Sequence, residues 1–134
     1  MTTDSQYLCS MINLLEHTRR PDISFCRKRG TIRITAKVAR VLALRPGDAI
    51  NIAVHNGEYL LYAIHRVNNI SRFEAQCYPS KKDGGMNYCA NSVRLCRSLL
   101  DALGVPDNKA AFLVGEAIDI YGTTYLPIIT SHPL

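Results

Sequence analysis

Arg27, Lys28, Arg29, Arg33, Lys37 and Arg40 bring six cations into one short stretch of the chain. Long cationic side chains grouped in this way can neutralise phosphates and reach guanine edges. The interval Arg19–Arg45 is opposed only by Asp22 and carries +8, while the whole chain carries +5, so the remainder is acidic. After Arg97 only Lys109 stands against Asp101, Asp107, Glu116 and Asp119. Such polarity predicts one basic face turned toward a polyanion. The plainer alternative is a solvated surface that keeps the protein dispersed.

Other chemistry finds little support in the residues. The five cysteines are Cys9, Cys26, Cys77, Cys89 and Cys96, an odd number with no Cys-x-x-Cys spacing. They are expected to be reduced thiols filling a core, without a disulfide framework or a metal. His17, His55, His65 and His132 stand singly, without ligand spacing. There is no phosphate-cradling glycine loop, no Gly-x-Ser-x-Gly elbow and no His-Glu-x-x-His helix. Glu116 and Asp119 are separated by an odd interval that sends them to opposite faces of a strand or hairpin, which does not suit an acid–base pair. Lys81-Lys82 before Gly84-Gly85 reads as a mobile loop. No enzyme and no cofactor is expected.

The elements that must position the cations are short. With 134 residues, 47% apolar and 20% charged, the chain can bury the core of one ordinary domain. No apolar run is long enough for a membrane helix, and Met1–Arg20 lacks the pattern of a secretion signal, so a cytoplasmic protein is expected. Tyr7, Leu8, Met11, Ile12, Leu14 and Leu15 follow one helix face, with Asp4 before them and Pro21 after. This amphipathic helix over 1–22 suits a core or a protein partner better than a membrane. Ile23–Lys28 and Thr31–Ile34 read as strands around the Arg29-Gly30 turn. Ala36–Ala43 reads as a helix capped by the Thr35 hydroxyl and stopped at Arg45-Pro46-Gly47-Asp48. Ile50–Val54 and Tyr59–Ile64 then form a hairpin through Asn56-Gly57. Arg33, between Ile32 and Ile34, should point away from the core; Lys37 and Arg40 should share a helix face.

The same order recurs. Asn91-Ser92-Val93-Arg94-Leu95 follows Gly30-Thr31-Ile32-Arg33-Ile34 at an offset of 61, which continues through Val38/Leu99, Leu42/Leu103 and Ala43/Gly104. Ala111–Val114 and Tyr125–Ile129 replace the two hairpin strands, and Ser71–Tyr78 reads as a further strand before a Pro79–Asn87 loop. Two copies packed about a pseudo-twofold axis would bury what neither can bury alone. Ile32/Val93, Ile34/Leu95, Val38/Leu99 and Leu42/Leu103 should then be buried equivalents.

The segment Gly30–Asp48, with its Gly-initiated strand, short helix and Leu-x-Pro-Gly-Asp turn before a glycine hairpin, resembles the AbrB-like swapped-hairpin family. The resemblance covers Ile23–His65 and extends weakly over Asn91–Ile129 through Leu103-Gly104-Val105-Pro106-Asp107. It implies an intertwined barrel, normally built from two chains, and DNA binding of the kind found in transition-state regulators and antitoxin repressors. The family's proline at the helix start is Thr35 here and Cys96 in the second copy, and its acidic residue two positions later is Lys37 and Ser98. Its basic residue after the glycine is Thr31 or Ser92. Of its Arg-Arg pair only Arg40 remains, Asp101 standing in the corresponding second-copy position.

Together these readings predict a mainly β fold with short helices: a duplicated AbrB-like intertwined barrel with an added N-terminal helix. Copy one spans 23–66, the connection 67–87 and copy two 88–130 of a barrel domain at 23–134. The expected function is DNA binding by a bacterial or phage transcriptional regulator or antitoxin-like repressor. The alternative is a non-enzymatic protein-interaction or structural barrel that has lost DNA binding and docks a partner through its N-terminal helix. A homodimer is compatible with either reading.

Overall fold

The computed structural model describes residues 21–67, 73–81 and 86–130; the expected N-terminal helix lies outside them. The chain runs β1 (Ile23–Cys26), β2 (Thr31–Ile34), α1 (Ala36–Val41), β3 (Ala49–His55), β4 (Glu58–Ile64), β5 (Tyr78–Pro79) and β6 (Tyr88–Asn91). It continues through α2 (Val93–Ala102), β7 (Lys109–Val114), β8 (Ile118–Ile120) and β9 (Thr123–Ile129). The fold is mainly β: one curled antiparallel half-barrel sheet in the order β3-β4-β9-β7-β1-β2-β6-β5, with β8 beside β9 and two helices among the described residues. The ends of this path approach each other at a single antiparallel bridge, Ala49 to Gln76. No described helix is long and apolar enough to cross a membrane.

Alternation sets the two faces. Ile23, Phe25, Ile32, Ile34, Ala90, Ala110 and Phe112 turn into the core, where the rings of Phe25 and Phe112 meet edge-on at 6.0 Å. Ser24, Arg33 and Ala111 are in register on the opposite face. Val38, Leu42, Leu99 and Leu100 seal the core from the helices. Burial of branched and aromatic side chains at these points stabilises each by roughly 1.5–3 kcal/mol over leaving it exposed.

The turns follow local chemistry. Asn56 and Gly57 both have positive φ, +50° and +77°, as the tight hairpin between β3 and β4 requires. At Arg45–Asp48 the Asp48 amide donates to the Arg45 carbonyl at 3.0 Å, and Gly47 takes φ +92°. Gly30 sits at φ +74° with its α-carbon pressed against the start of α2. A β-carbon there would fall 2.5 Å from the Val93 nitrogen.

Three expectations are corrected. The constant offset of 61 fails at its beginning, because Ile32 and Ile34 lie in β2 whereas Val93 and Leu95 lie in α2. The N-caps are Thr35 and Ser92 and the C-caps Leu42 and Leu103, so the second helix is longer by one turn at its N-terminus, with ten residues against six. Val38 and Leu99 are both buried; Leu42 is buried but Leu103 only partly, and Val93 is exposed. Second, Thr35 occupies the cap position, but its hydroxyl donates to the Asp22 carbonyl at 3.1 Å. The Ala36 amide is taken instead by Asn87 Oδ1 at 2.8 Å. Third, Ser71–Tyr78 is not one strand: Phe73–Cys77 carry a turn and the Gln76 bridge, and only Tyr78–Pro79 pair as β5.

Candidate nucleic-acid interface

The short hairpin β1–β2 and the β1·β7 pairing place the cations. Cys26 lies opposite Lys109, Ser24 opposite both Arg33 and Ala111, and Arg33 opposite Cys89. Since paired residues in a sheet share a face, Arg33 stands in a row with Ser24, Ala111 and Cys89. Arg29, Arg33 and Lys109 line one concavity of about 240 Å³ with Ser24, Cys26 and Thr31. Arg29 and Lys28 are exposed in the turn. That turn is held by the Asn91 amide donating to the Arg29 carbonyl at 2.9 Å and by the Lys28 amide donating to Asn108 Oδ1 at 2.9 Å.

The six sequence candidates do not act alike. Lys28, Arg29, Arg33 and Arg40 are exposed, and no carboxylate among the described residues pairs with them. Arg27 is turned the other way: its guanidinium forms an ion pair with Asp101 and donates to the carbonyls of Val105 and Asp107, tying β1 to the turn after α2. Lys37 lies 3.8 Å from the buried Asp22 carboxylate. Arg40 lines a separate depression with Ala36, Ala43, Met86 and Tyr88. The basic surface therefore centres on Arg29 and Arg33, joined by Lys109. In the sequence Lys109 stands alone among acidic residues, and the pairing of β1 with β7, from Cys26 opposite Lys109 to Ile23 opposite Phe112, is too distant along the chain to leave a local signal.

Two buried carboxylates, Asp22 and Asp48, organise the scaffold. Asp22 Oδ2 accepts the Val114 amide at 2.9 Å. Asp48, 1% exposed, accepts the Arg45 amide at 2.9 Å and the Arg66 amide at 2.8 Å and lies 2.7 Å from His65 Nδ1. Burial pushes the Asp48 carboxyl up, but the Arg66 amide, His65 and the Arg45 amide together hold it below its usual value. Glu74 is held low by the Ser92 hydroxyl, against some desolvation, with help from Arg94. Burial, together with the charges of Asp48 and Cys89, pushes the Cys77 thiol up to about 12. Burial raises the Cys96 thiol as well. Both are packing residues. Among the described residues no three His, Cys, Asp or Glu side chains group as metal ligands.

No family model, curated protein or solved structure matches this chain.

Proposed function

We propose that this chain is a non-enzymatic, cytoplasmic duplex-DNA-binding protein, a transcriptional regulator or antitoxin-like repressor of a bacterium or phage. The observation that carries the reading is the convergence of Arg29, Arg33 and Lys109 on one concave surface, beside exposed Lys28, with no carboxylate partner among the described residues. Unpaired cations on a small rigid scaffold are suited to contact phosphates, which supply most of the affinity for DNA.

An AbrB-like barrel duplicated within one chain is the scaffold we assign. It is supported by the recurrence of strand, strand, helix and two hairpin strands and by matching details at both helices. Leu44 and Val105 each donate to a carbonyl five residues back at 2.9 Å, and Ala43 and Gly104 each have positive φ. At the opposite ends, Lys37 pairs with Asp22 and Arg94 pairs with Glu74, each cation two residues after its N-cap. The counterparts of Thr35 and Lys37 are thus Ser92 and Arg94, not Cys96 and Ser98.

A mobility-shift titration on random duplex DNA with salt varied tests the reading. If about four phosphates are neutralised, log K falls with log salt at a slope of roughly −3 to −4. Absence of binding at low salt would leave the alternative, a barrel that engages a protein partner through residues 1–22 or pairs as a homodimer. The internal pairing of Arg27 and Lys37 favours that alternative, because it sets a carboxylate against two of the six cations.

A further inference from the structure

We infer that the outer sheet face of β7-β1-β2-β6-β5 takes an unpaired nucleic-acid strand, with phosphates on Arg29, Arg33 and Lys109 and a base stacked on Tyr78. This rests on the reading that the basic face binds nucleic-acid phosphates and goes beyond its duplex to the form of strand that the face holds more tightly.

The register carries the inference. Ser24 lies opposite Arg33, Arg33 opposite Cys89, and Cys89 opposite Tyr78, so the four residues form one transverse row on one face. Tyr78 is 49% exposed, although its neighbour Cys77 is fully buried on the other face. Two strand spacings separate Tyr78 from Arg33, about 10 Å at the backbone. Between them stands Cys89, with Thr31 on the Arg33 strand, and beyond Arg33 the small floor continues through Ser24 and Ala111. A planar ring can approach such a floor without displacing bulky side chains.

The cation-lined concavity continues past Thr31 into a second, of about 550 Å³, lined by Phe73, Tyr78, Cys89 and Asn91. Phe73 is 40% exposed and adds a second aromatic edge there. Glu74 also lines this hollow, but its carboxylate is engaged by the Ser92 hydroxyl and by Arg94 at 3.0 Å, which offsets its repulsion of phosphate. Cations that track a backbone beside an exposed aromatic ring are the two parts that single-strand binding needs, because every base presents a stacking face. A duplex keeps its bases stacked on one another and offers Tyr78 none.

Fluorescence anisotropy with a labelled mixed-sequence single strand, as DNA and as RNA, against the duplex of equal length at one salt concentration tests this. At least one single strand should bind about fivefold or more tighter than the duplex. Tyr78→Leu should weaken single-strand binding about 5- to 150-fold, and Tyr78→Phe should stay within about twofold of the parent, with duplex affinity little changed in both. The unaltered protein supplies a second readout: a bound single strand should slow alkylation of Cys89, followed by mass spectrometry at that residue. Duplex binding without single-strand preference, an unaltered affinity in Tyr78→Leu, or an unprotected Cys89 overturns the inference and leaves the basic-face reading standing. Failure of every oligonucleotide to bind overturns both.

Discussion

Arg27, in the turn after β1, is ion-paired with Asp101 in the last turns of α2. Asp101 belongs to the acidic part of the chain that follows Arg97. Its partner is one of the cations of the basic Arg19–Arg45 interval, so the two residues cancel across the fold. The pair joins segments 74 positions apart, and Arg27 also closes on the Val105 carbonyl. Arg27→Ala should therefore lower stability, by about 1–3 kcal/mol for the orphaned acceptors, and leave DNA affinity nearly unchanged. Arg29→Ala with Arg33→Ala should do the reverse, weakening binding and flattening the salt slope by about 2. Parallel denaturation and salt-dependent binding titrations separate the two effects.

Asp48 gathers the Arg45–Asp48 turn and the end of β4 at one carboxylate. Because its folded-state pKa is depressed, its contribution is fully present above its unfolded value of about 3.8 and is lost as pH falls through the lower folded value. Thermal melts of the parent should fall more steeply in that acid range than those of Asp48→Asn. At neutral pH the variant should be less stable by about 1.5–3 kcal/mol, as expected for lost hydrogen bonds to a charged group.

Gly30 and Gly57 both have positive φ, but only Gly30 touches a neighbour. Gly57→Ala meets nothing within 4 Å and should cost only the left-handed backbone term, about 1–2 kcal/mol. Gly30→Ala should cost distinctly more, because its β-carbon would strike the Ser92–Val93 backbone at 2.8 Å and 2.5 Å. Urea denaturation of the two variants gives the ordering.

Ala43 holds the left-handed position after α1 that Gly104 holds after α2, with φ +53° and +68°. Ala43→Gly should stabilise by about 0.5–1 kcal/mol, since relief of the steric term exceeds the added freedom of the unfolded chain. Gly104→Ala should destabilise. Opposite shifts in Tm would agree with this account.

Leu42 and Leu100 are buried to within 3% and Leu103 is not. Leu42→Ala and Leu100→Ala should each cost about 2–5 kcal/mol, with a smaller loss for Leu103→Ala. Equal losses at Leu42 and Leu103 would restore the residue-by-residue equivalence that the longer α2 breaks.

Local chemistry was sufficient for much of the architecture. Ile32-Arg33-Ile34 alternates, Asn56-Gly57 demands a tight hairpin and Pro46-Gly47 a turn, and each of these depends only on neighbours in the chain. Neighbouring residues alone were enough to place Arg33 outward and to pair β3 with β4. They did not fix where α2 begins, because an apolar helix face repeats after about one turn. Moving the start of α2 by four residues preserves its buried stripe while converting Val93 and Leu95 from strand to helix. Long-range packing set which cations meet a carboxylate. Arg27 and Arg29 are chemically alike and two residues apart, yet Asp101 approaches one of them because α2 packs there, while β7 brings Lys109 to the other. Charge is a property of the residue. Whether that charge is cancelled depends on partners about 75–80 positions away, and the packing of the whole sheet sets those distances.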